Sequence, residues 1–381
     1  MRRAFRLARS AEGLAHPNPM VGAVVVAGGR IVGSGAHRYA KILHAERLAL
    51  SEAGGAARGA DLYVTLEPCC HHGRTPPCAE AVIEAGIRRV FVGTRDPNPL
   101  VAGGGIRRLQ EAGLEVVTAP DPAPFDELNR KFNKYITTGT PWVTLKAGLS
   151  LDGRIATASG RSRWVTGAAA RRWGHHLRFT HDAILVGRGT VRTDDPMLTC
   201  RHRREKETPF LRVVLDSRAR IPAGSQLVRS AREHPLLVFV TTDAPPGRVR
   251  ALEKEGVDVH VLPVKIRCEE RPPARGVFLD LHPKNPRVDP AAVLKELGRR
   301  GVASVLVEGG GIVHAQFLAP GLADEFHFFF APLFLGSEGP PVLGELGVFD
   351  LQQAPRARIR RVRALGPDLQ VTGYFRTGAR T

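Results

Sequence analysis

Two short arms of the chain must meet at one point, and that requirement constrains the fold more than any other feature. His44-Ala45-Glu46 forms the first arm, and Leu66-Glu67-Pro68-Cys69-Cys70-His71-His72-Gly73-Arg74-Thr75-Pro76-Pro77-Cys78 the second. Three thiols and two imidazoles in so short a run are too polar for a core. One imidazole and two thiolates would instead give three ligands to a tetrahedral zinc ion, at roughly 2.0 Å for nitrogen and 2.3 Å for sulfur, with a fourth position left for water. Such water is acidified to a pKa of about 7, and Glu46 is then the natural proton carrier. Glu46 lies about 200° round an ideal helix from His44, so both reach one ion only if it sits off the N-terminal end of that helix. The pattern allows this: residues 45–53 read as a helix that starts at the triplet and stops at Gly54-Gly55. On the second arm a strand over 62–66 leads in and a helix over 78–85 leads out, and a helix N-terminus favours thiolates. The plainer alternative is a closed structural site with His71 or His72 as fourth ligand, although such a site has no need of His-Ala-Glu.

The order H-x-E and then P-C…C is that of zinc-dependent base deaminases, in which the glutamate is acid/base and not a ligand. Here eight residues separate Cys69 from Cys78, longer than the usual two. The form P-C-C-H-H-G-R-T-P-P-C resembles the deaminase half of the bifunctional deaminase-reductases of riboflavin biosynthesis. That resemblance implies His44, Cys69 and Cys78 as zinc ligands and Glu46 as catalytic acid/base. It also implies that Asn18, His37 and Arg74 contact the substrate, with Asn18 and His37 in the pyrimidine pocket. Cys70 stands where the family ordinarily has serine and places a second thiol beside Cys69; Lys41 stands where it ordinarily has glycine.

At 381 residues the chain is long for one domain. No apolar run approaches the ~18 residues that span a bilayer, so no membrane role is expected. The cysteines, Cys69, Cys70, Cys78, Cys200 and Cys268, are odd in number and clustered, which points to a reducing, cytoplasmic setting and not to a disulfide framework. The Arg-rich start carries Ala4, Leu7, Ala8 and Ala11 at helical spacing and reads as a first domain helix, not a leader. Net charge is +18, a first flag for nucleic acid. Yet the basic residues are scattered and aromatics are only 6%, so the charge fits steering of a phosphorylated small substrate better than nucleic-acid binding.

In chain order, residues 21–26 and 30–35 flank Gly28-Gly29 as a hairpin, and helices and strands then alternate to about residue 118. The Pro-rich stretch 119–124 marks a boundary, and residues 125–138 read as one linking helix. The expected organisation is residues 1–119 as a deaminase domain, 120–140 as a linker and 141–381 as a reductase domain. The second half shows strands near 142–150, 183–187, 211–216, 236–240, 302–308, 326–330 and 369–375, with helices at 168–179, 290–299 and 312–318. This describes a mostly parallel sheet finished by antiparallel strands.

Glu308-Gly309-Gly310-Gly311-Ile312 is a strand, a glycine turn and a helix start, an arrangement that can hold a phosphate. With Ser150-Leu151-Asp152-Gly153 and residues 194–199, it resembles the reductase half of the same family. The resemblance therefore implies an α/β fold class, a cytidine-deaminase-like three-layer domain followed by a dihydrofolate-reductase-like domain that uses NADPH. The resemblance implies Lys146 and Asp194 as catalytic and Ser162, Arg178, Leu198, Arg201 and Glu308 as substrate contacts. It places NADPH against Gly148, Trp164, Thr190, Asp194, Ser217, Gly310 and Gly311. Arg178 and Arg201 are suited to a bidentate phosphate grip. One zinc per chain, a phosphorylated pyrimidine substrate and a homo-oligomer complete the expectation. The rivals are a zinc-dependent nucleic-acid deaminase acting on tRNA adenosine and a binding module with structural zinc.

Overall fold

The computed structural model describes residues 1–72, 76–264 and 287–375. Packing divides them into two compact units: the first comprises 1–142 with 204–209 and 301–304, the second the remainder. No described helix is long and apolar enough to cross a membrane.

The first unit contains α1 (Arg2–Ser10), the hairpin β1 (Gly22–Ala27) and β2 (Arg30–Ala36), α2 (Ala45–Ala53), β3 (Asp61–Val64) and α3 (Cys78–Glu84). It continues with β4 (Arg89–Val92), α4 (Gly104–Glu111), β5 (Glu115–Thr118), α5 (Ala123–Leu128) and α6 (Arg130–Thr138). Its sheet runs β2-β1-β3-β4-β5, antiparallel through the first three strands and parallel through the last three. Gly22 and Ala23 are successive residues of β1 and so point to opposite faces. On the Gly22 face a Cβ would lie 2.1 Å from the Ala4 carbonyl of α1. Gly35 pairs with Ala23 on the other face, and there a Cβ would lie 2.2 Å from the Ala45 carbonyl of α2. Helices thus cover both faces, which makes the expected three layers. The core on the α2 face joins Ala23, Val25, Ala49, Leu62, Val82 and Val90.

The linking segment differs from expectation. It is two helices, broken at Asn129, whose buried amide accepts from Met20 N–H at 2.8 Å and donates to Met20 O at 3.2 Å. A tertiary bond to a residue 109 positions away overrides a locally good helical pattern.

The second unit is built on β6 (Trp142–Ser150), α7 (Ala168–Phe179), β7 (Ala183–Gly187), α8 (Arg188–Asp194), β8 (Leu211–Leu215), α9 (Gln226–Arg229), β9 (Leu236–Thr241), α10 (Pro246–Lys254) and β10 (Asp258–Leu262). Then come α11 (Pro290–Arg299), β11 (Ser304–Val307), α12 (Gly311–Leu318), β12 (Glu325–Ala331), β13 (Ala357–Leu365) and β14 (Asp368–Phe375). The sheet order is β10-β9-β8-β7-β11-β6-β12-β14-β13. Strands β10, β9, β8, β7 and β11 pair in parallel, β6 pairs in parallel with β12, and β14 is antiparallel to both β12 and β13. The expected parallel sheet with an antiparallel finish is what forms. The fully buried runs Ala183–Gly187 and Leu236–Thr241 show why these strands read as continuous apolar stretches.

Candidate active sites

Gly33 and Gly35 let α2 settle directly on β2, with Ala45, Ala49 and Ala53 against the strand. His44 is the N-cap of α2 in extended backbone and spends no side-chain bond on capping, so its imidazole is available elsewhere. Cys78 is the first residue of α3, and Cys69 is drawn to it: Cys78 N–H donates to Cys69 Sγ at 3.3 Å, and Ala79 N–H to Cys69 O at 3.1 Å. The ligand atoms of His44, Cys69 and Cys78 all lie within 4.8 Å of one another.

The spacing fits zinc. On a tetrahedral ion with ordinary bond lengths, nitrogen and sulfur ligands stand about 3.5 Å apart. Here His44 Nδ1 is 3.2 Å from Cys78 Sγ and 3.6 Å from Cys69 Sγ. Hydrogen bonding from Cys78 brings Cys69 down to about 4, and the same bond pushes Cys78 up. A dication would favour the thiolate of both. Cys70 Sγ is turned away, toward Gly104, where an added Cβ would lie 2.8 Å from it. Among the described residues neither His71 nor His72 joins the cluster, so three protein ligands converge and the closed structural site loses its fourth.

Glu46 is 4% exposed, in the first turn of α2. Burial, reinforced by the Cys69 charge, raises its carboxyl to about 7. Asn18 and His37 stand together beside this centre. Asn18 Nδ2 donates to His37 Nε2 at 3.0 Å, His37 Nδ1 donates to Leu43 O at 3.2 Å, and the His37 ring meets His44 edge-on at 5.4 Å. These bonds require the proton on His37 Nδ1, and burial lowers its pKa so that the ring stays neutral. Arg74 lies outside the described residues.

Two residues that the sequence reading left without a role hold the second arm. Glu67, 2% exposed, accepts backbone N–H groups from Asp96 at 3.2 Å, Gly103 at 3.0 Å and Ile106 at 3.0 Å. Arg47 Nη2 donates to Pro76 O and Pro77 O, each at 3.2 Å. The only sequence sign of either was its place next to Glu46 or before Pro68-Cys69.

In the second unit, all of the expected reductase residues line one cleft of about 1410 Å³: Lys146, Gly148, Ser162, Trp164, Arg178, Thr190, Asp194, Leu198, Arg201, Ser217, Glu308, Gly310 and Gly311. Lys146 and Gly148 come from β6, Arg178 from α7 and Thr190 and Asp194 from α8. Glu308, Gly310 and Gly311 form the turn from β11 into α12. An added Cβ at Gly311 would lie 2.4 Å from Pro341 O, so this turn takes no larger residue. Ser162 Oγ donates to Asp194 Oδ1 at 3.1 Å, and Ser217 Oγ accepts Val288 N–H at 3.2 Å. Trp164 is 68% exposed with the Arg171 guanidinium 4.5 Å over its ring.

The bidentate edge of Arg178 faces Glu308, not open space. Its Nε and Nη2 donate to Glu308 at 2.9 and 3.0 Å, and Nη1 donates to Thr199 O at 3.0 Å. Lys146 Nζ reaches the same carboxylate at 3.4 Å and makes no bond to Asp194 among the described residues. Arg201 is exposed and has no side-chain partner among the described residues, so of the two arginines it is the one open to an anion.

A buried glutamate next to one imidazole and two thiols spaced to hold a metal, on the same chain as a large cleft lined by Lys146, Arg178 and Arg201, is the equipment of a zinc-binding deaminase fused to a reductase. The cytidine and deoxycytidylate deaminase zinc-binding region matches residues 1–94, and the RibD C-terminal domain matches residues 141–371. Riboflavin biosynthesis protein RibD of Bacillus amyloliquefaciens is 40% identical over 379 residues, covering 99% of this chain and 96% of the relative. That of Escherichia coli K12 is 38% identical over 380 residues, covering 97% and 96%. Acinetobacter baumannii RibD superposes with a TM-score of 0.82 at 32% identity, covering 99% of this chain and 98% of that one. A Thermotoga maritima diaminohydroxyphosphoribosylaminopyrimidine deaminase/5-amino-6-(5-phosphoribosylamino)uracil reductase gives 0.80 at 34%, covering 98% and 97%. The chain belongs to the RibD family: it is a bifunctional enzyme of riboflavin biosynthesis, with a zinc-binding deaminase domain and an NADPH-dependent reductase domain.

Proposed function

We propose that residues 1–119 deaminate 2,5-diamino-6-ribosylamino-4(3H)-pyrimidinone 5′-phosphate, and that residues 141–381, after a linker over 120–140, reduce the ribosyl chain of the product. The final product is 5-amino-6-(5-phospho-D-ribitylamino)uracil. The observation that carries the first half is the His44, Cys69, Cys78 cluster with buried Glu46 beside it. When bound, zinc supplies Lewis acidity that brings water within reach of deprotonation at neutral pH. With the metal held by His44, Cys69 and Cys78, Glu46 would move the two protons of the attacking water, one to the ring nitrogen and one to the amino group that leaves as ammonia, as C–O forms and C–N breaks. Asn18 is assigned to present its amide oxygen and remaining N–H to the pyrimidine edge, and His37, whose ring nitrogens are taken by Asn18 and Leu43 O, to line the pocket with its neutral ring. The hydrogen bond between the two holds both in place.

With NADPH held in the second cleft, the ribosylamino group would be reduced as its ring-opened C1′ imine, the cofactor supplying hydride to C1′ while the C=N π pair passes to the adjoining nitrogen. The proton for the adjoining nitrogen is assigned to the Lys146 ammonium, held by Glu308, with Asp194 positioned by Ser162 at the α8 end. Gly148, Trp164, Thr190, Ser217, Gly310 and Gly311 are assigned to the dinucleotide. Ser162, Arg178, Leu198, Arg201 and Glu308 are assigned to the substrate. We further propose a cytoplasmic homo-oligomer; reduced Cys69, Cys70 and Cys78 support the compartment. Exposed Ile359 and Val362 on β13 support the assembly, and sedimentation would test it.

The decisive experiment is a coupled assay on the zinc-loaded protein. Ammonia should be released from the diaminopyrimidine, NADPH consumed afterwards, and Glu46→Gln should cut ammonia release by about 10³-fold or more while NADPH oxidation on the deaminated substrate persists. Unchanged ammonia release in Glu46→Gln would defeat the assignment of that residue.

A further inference from the structure

His175, on α7 one turn before Arg178, lines the reductase cleft and is half-buried. Its Nδ1 accepts the backbone N–H of Arg201 at 3.2 Å. A ring that accepts at Nδ1 carries its proton at Nε2 when neutral. Among the described residues Nε2 has no hydrogen-bond partner, and it is not among the buried polar atoms left unsatisfied, so this donor is open to the cleft. Burial, followed by the nearby Arg178 and Arg201, brings the imidazole down to about 4, and it is therefore neutral at physiological pH.

The surroundings favour an anion. Arg178, Arg201 and Lys146 all act on His175, against the single carboxylate of Glu308. Glu308 is already shared between Arg178 and Lys146. Among the described residues, the unengaged groups at this corner are the Arg201 guanidinium and the His175 Nε2–H, tied together through the Arg201 backbone. A guanidinium with a fixed neutral N–H beside it is a donor set for phosphate oxygens.

We propose that His175 is a substrate-binding residue of the reductase site, donating from Nε2 to the 5′-phosphate of the ribosylamino-uracil alongside Arg201. The inference rests on the assignment of this cleft to the phosphorylated pyrimidine and adds a contact to it.

The test is steady-state reduction of the deaminated pyrimidine by NADPH, with and without its 5′-phosphate, in the full-length protein and three variants. His175→Ala should raise KM for the phosphorylated substrate about 10-fold or more, the loss of one hydrogen bond to a charged group. The kcat and NADPH affinity should change little. On the dephosphorylated substrate the same variant should match the wild type. His175→Gln carries an amide N–H out to the Nε2 position and should recover most of the affinity. His175→Asn keeps an acceptor for Arg201 N–H but falls short of the phosphate, and should remain weak. Recovery by Asn and not by Gln would reduce His175 to a holder of the Arg201 loop and overturn the proposal. An equal penalty on the dephosphorylated substrate, or an unchanged KM in His175→Ala, would overturn it too. Absence of turnover by the wild type would instead overturn the reading of the cleft, and this contact with it.

Discussion

Glu308 is a single carboxylate between two cations, and its protonation reports on the whole reductase site. Burial by itself would raise this carboxyl; the Arg178 guanidinium and the Lys146 ammonium outweigh burial and hold it well below the usual carboxylate range. A depressed value means the unfolded chain takes up protons first. The group therefore stabilises the fold above its ordinary value of 4.5, and that contribution is lost as pH falls below it. Glu308→Gln should destabilise the protein by about 3 kcal/mol at pH 7, because Arg178 is left buried without its partner. Urea unfolding at a series of pH values should show the gap between variant and wild type closing steadily below pH 4.5. Glu67 works by position. Its carboxylate collects three backbone N–H groups and fixes the residues that lead into Pro68-Cys69. In Glu67→Ala a competing chelator should strip zinc about 10-fold more readily, because the backbone two residues before Cys69 loses its anchor to Asp96, Gly103 and Ile106. Titration with a zinc indicator would read this directly.

At the scale of elements, the zinc centre depends on how closely α2 rests on β2. An added Cβ at Gly35 would sit 2.2 Å from Ala45 O and 2.7 Å from Leu48 Cβ, and Ala45 lies between His44 and Glu46. Gly35→Ala should thus displace His44 and Glu46 together, cost about 1–3 kcal/mol by overpacking, and abolish ammonia release while NADPH oxidation survives. The starts of α2 and α3 were legible in the sequence because His44 and Cys78, the residues proposed as ligands, sit at helix N-termini, where backbone pattern and metal chemistry point the same way. The strands of the second unit were legible because they are buried apolar runs. The break at Asn129 was not, since the bond that makes it runs to Met20. Strand β13 was not either: Ala357–Leu365 is almost wholly exposed, and a bulge between Ile359 and Arg361 spoils the alternation that would have marked it. His175 escaped notice for a related reason. One imidazole on a helix carries no signal until the fold brings Arg201 to its Nδ1.

At the scale of the whole molecule, each unit has its own apolar core. One core runs from Val21 to Leu109 around the zinc-centre helices. Another runs from Ile184 to Val257, and a smaller one joins Ala170, Leu177, Leu306 and Phe329. The ligand atoms of His44, Cys69 and Cys78 belong entirely to the first unit, and every residue lining the cleft belongs to the second. Metal binding is folding free energy only for the structure it organises, and the core that buries Ala23, Val64 and Val90 completely includes none of His44, Cys69 and Cys78. Removing zinc should therefore abolish one reaction without unfolding the enzyme. Protein dialysed against a chelator should release no ammonia from the diaminopyrimidine. It should still oxidise NADPH when given the deaminated substrate, at a rate close to that of the zinc-loaded protein. Adding zinc back should restore the ammonia signal alone. If chelation silenced both reactions, the metal would be holding up more of the chain than the cluster of three ligands on α2, α3 and their connecting loop can account for.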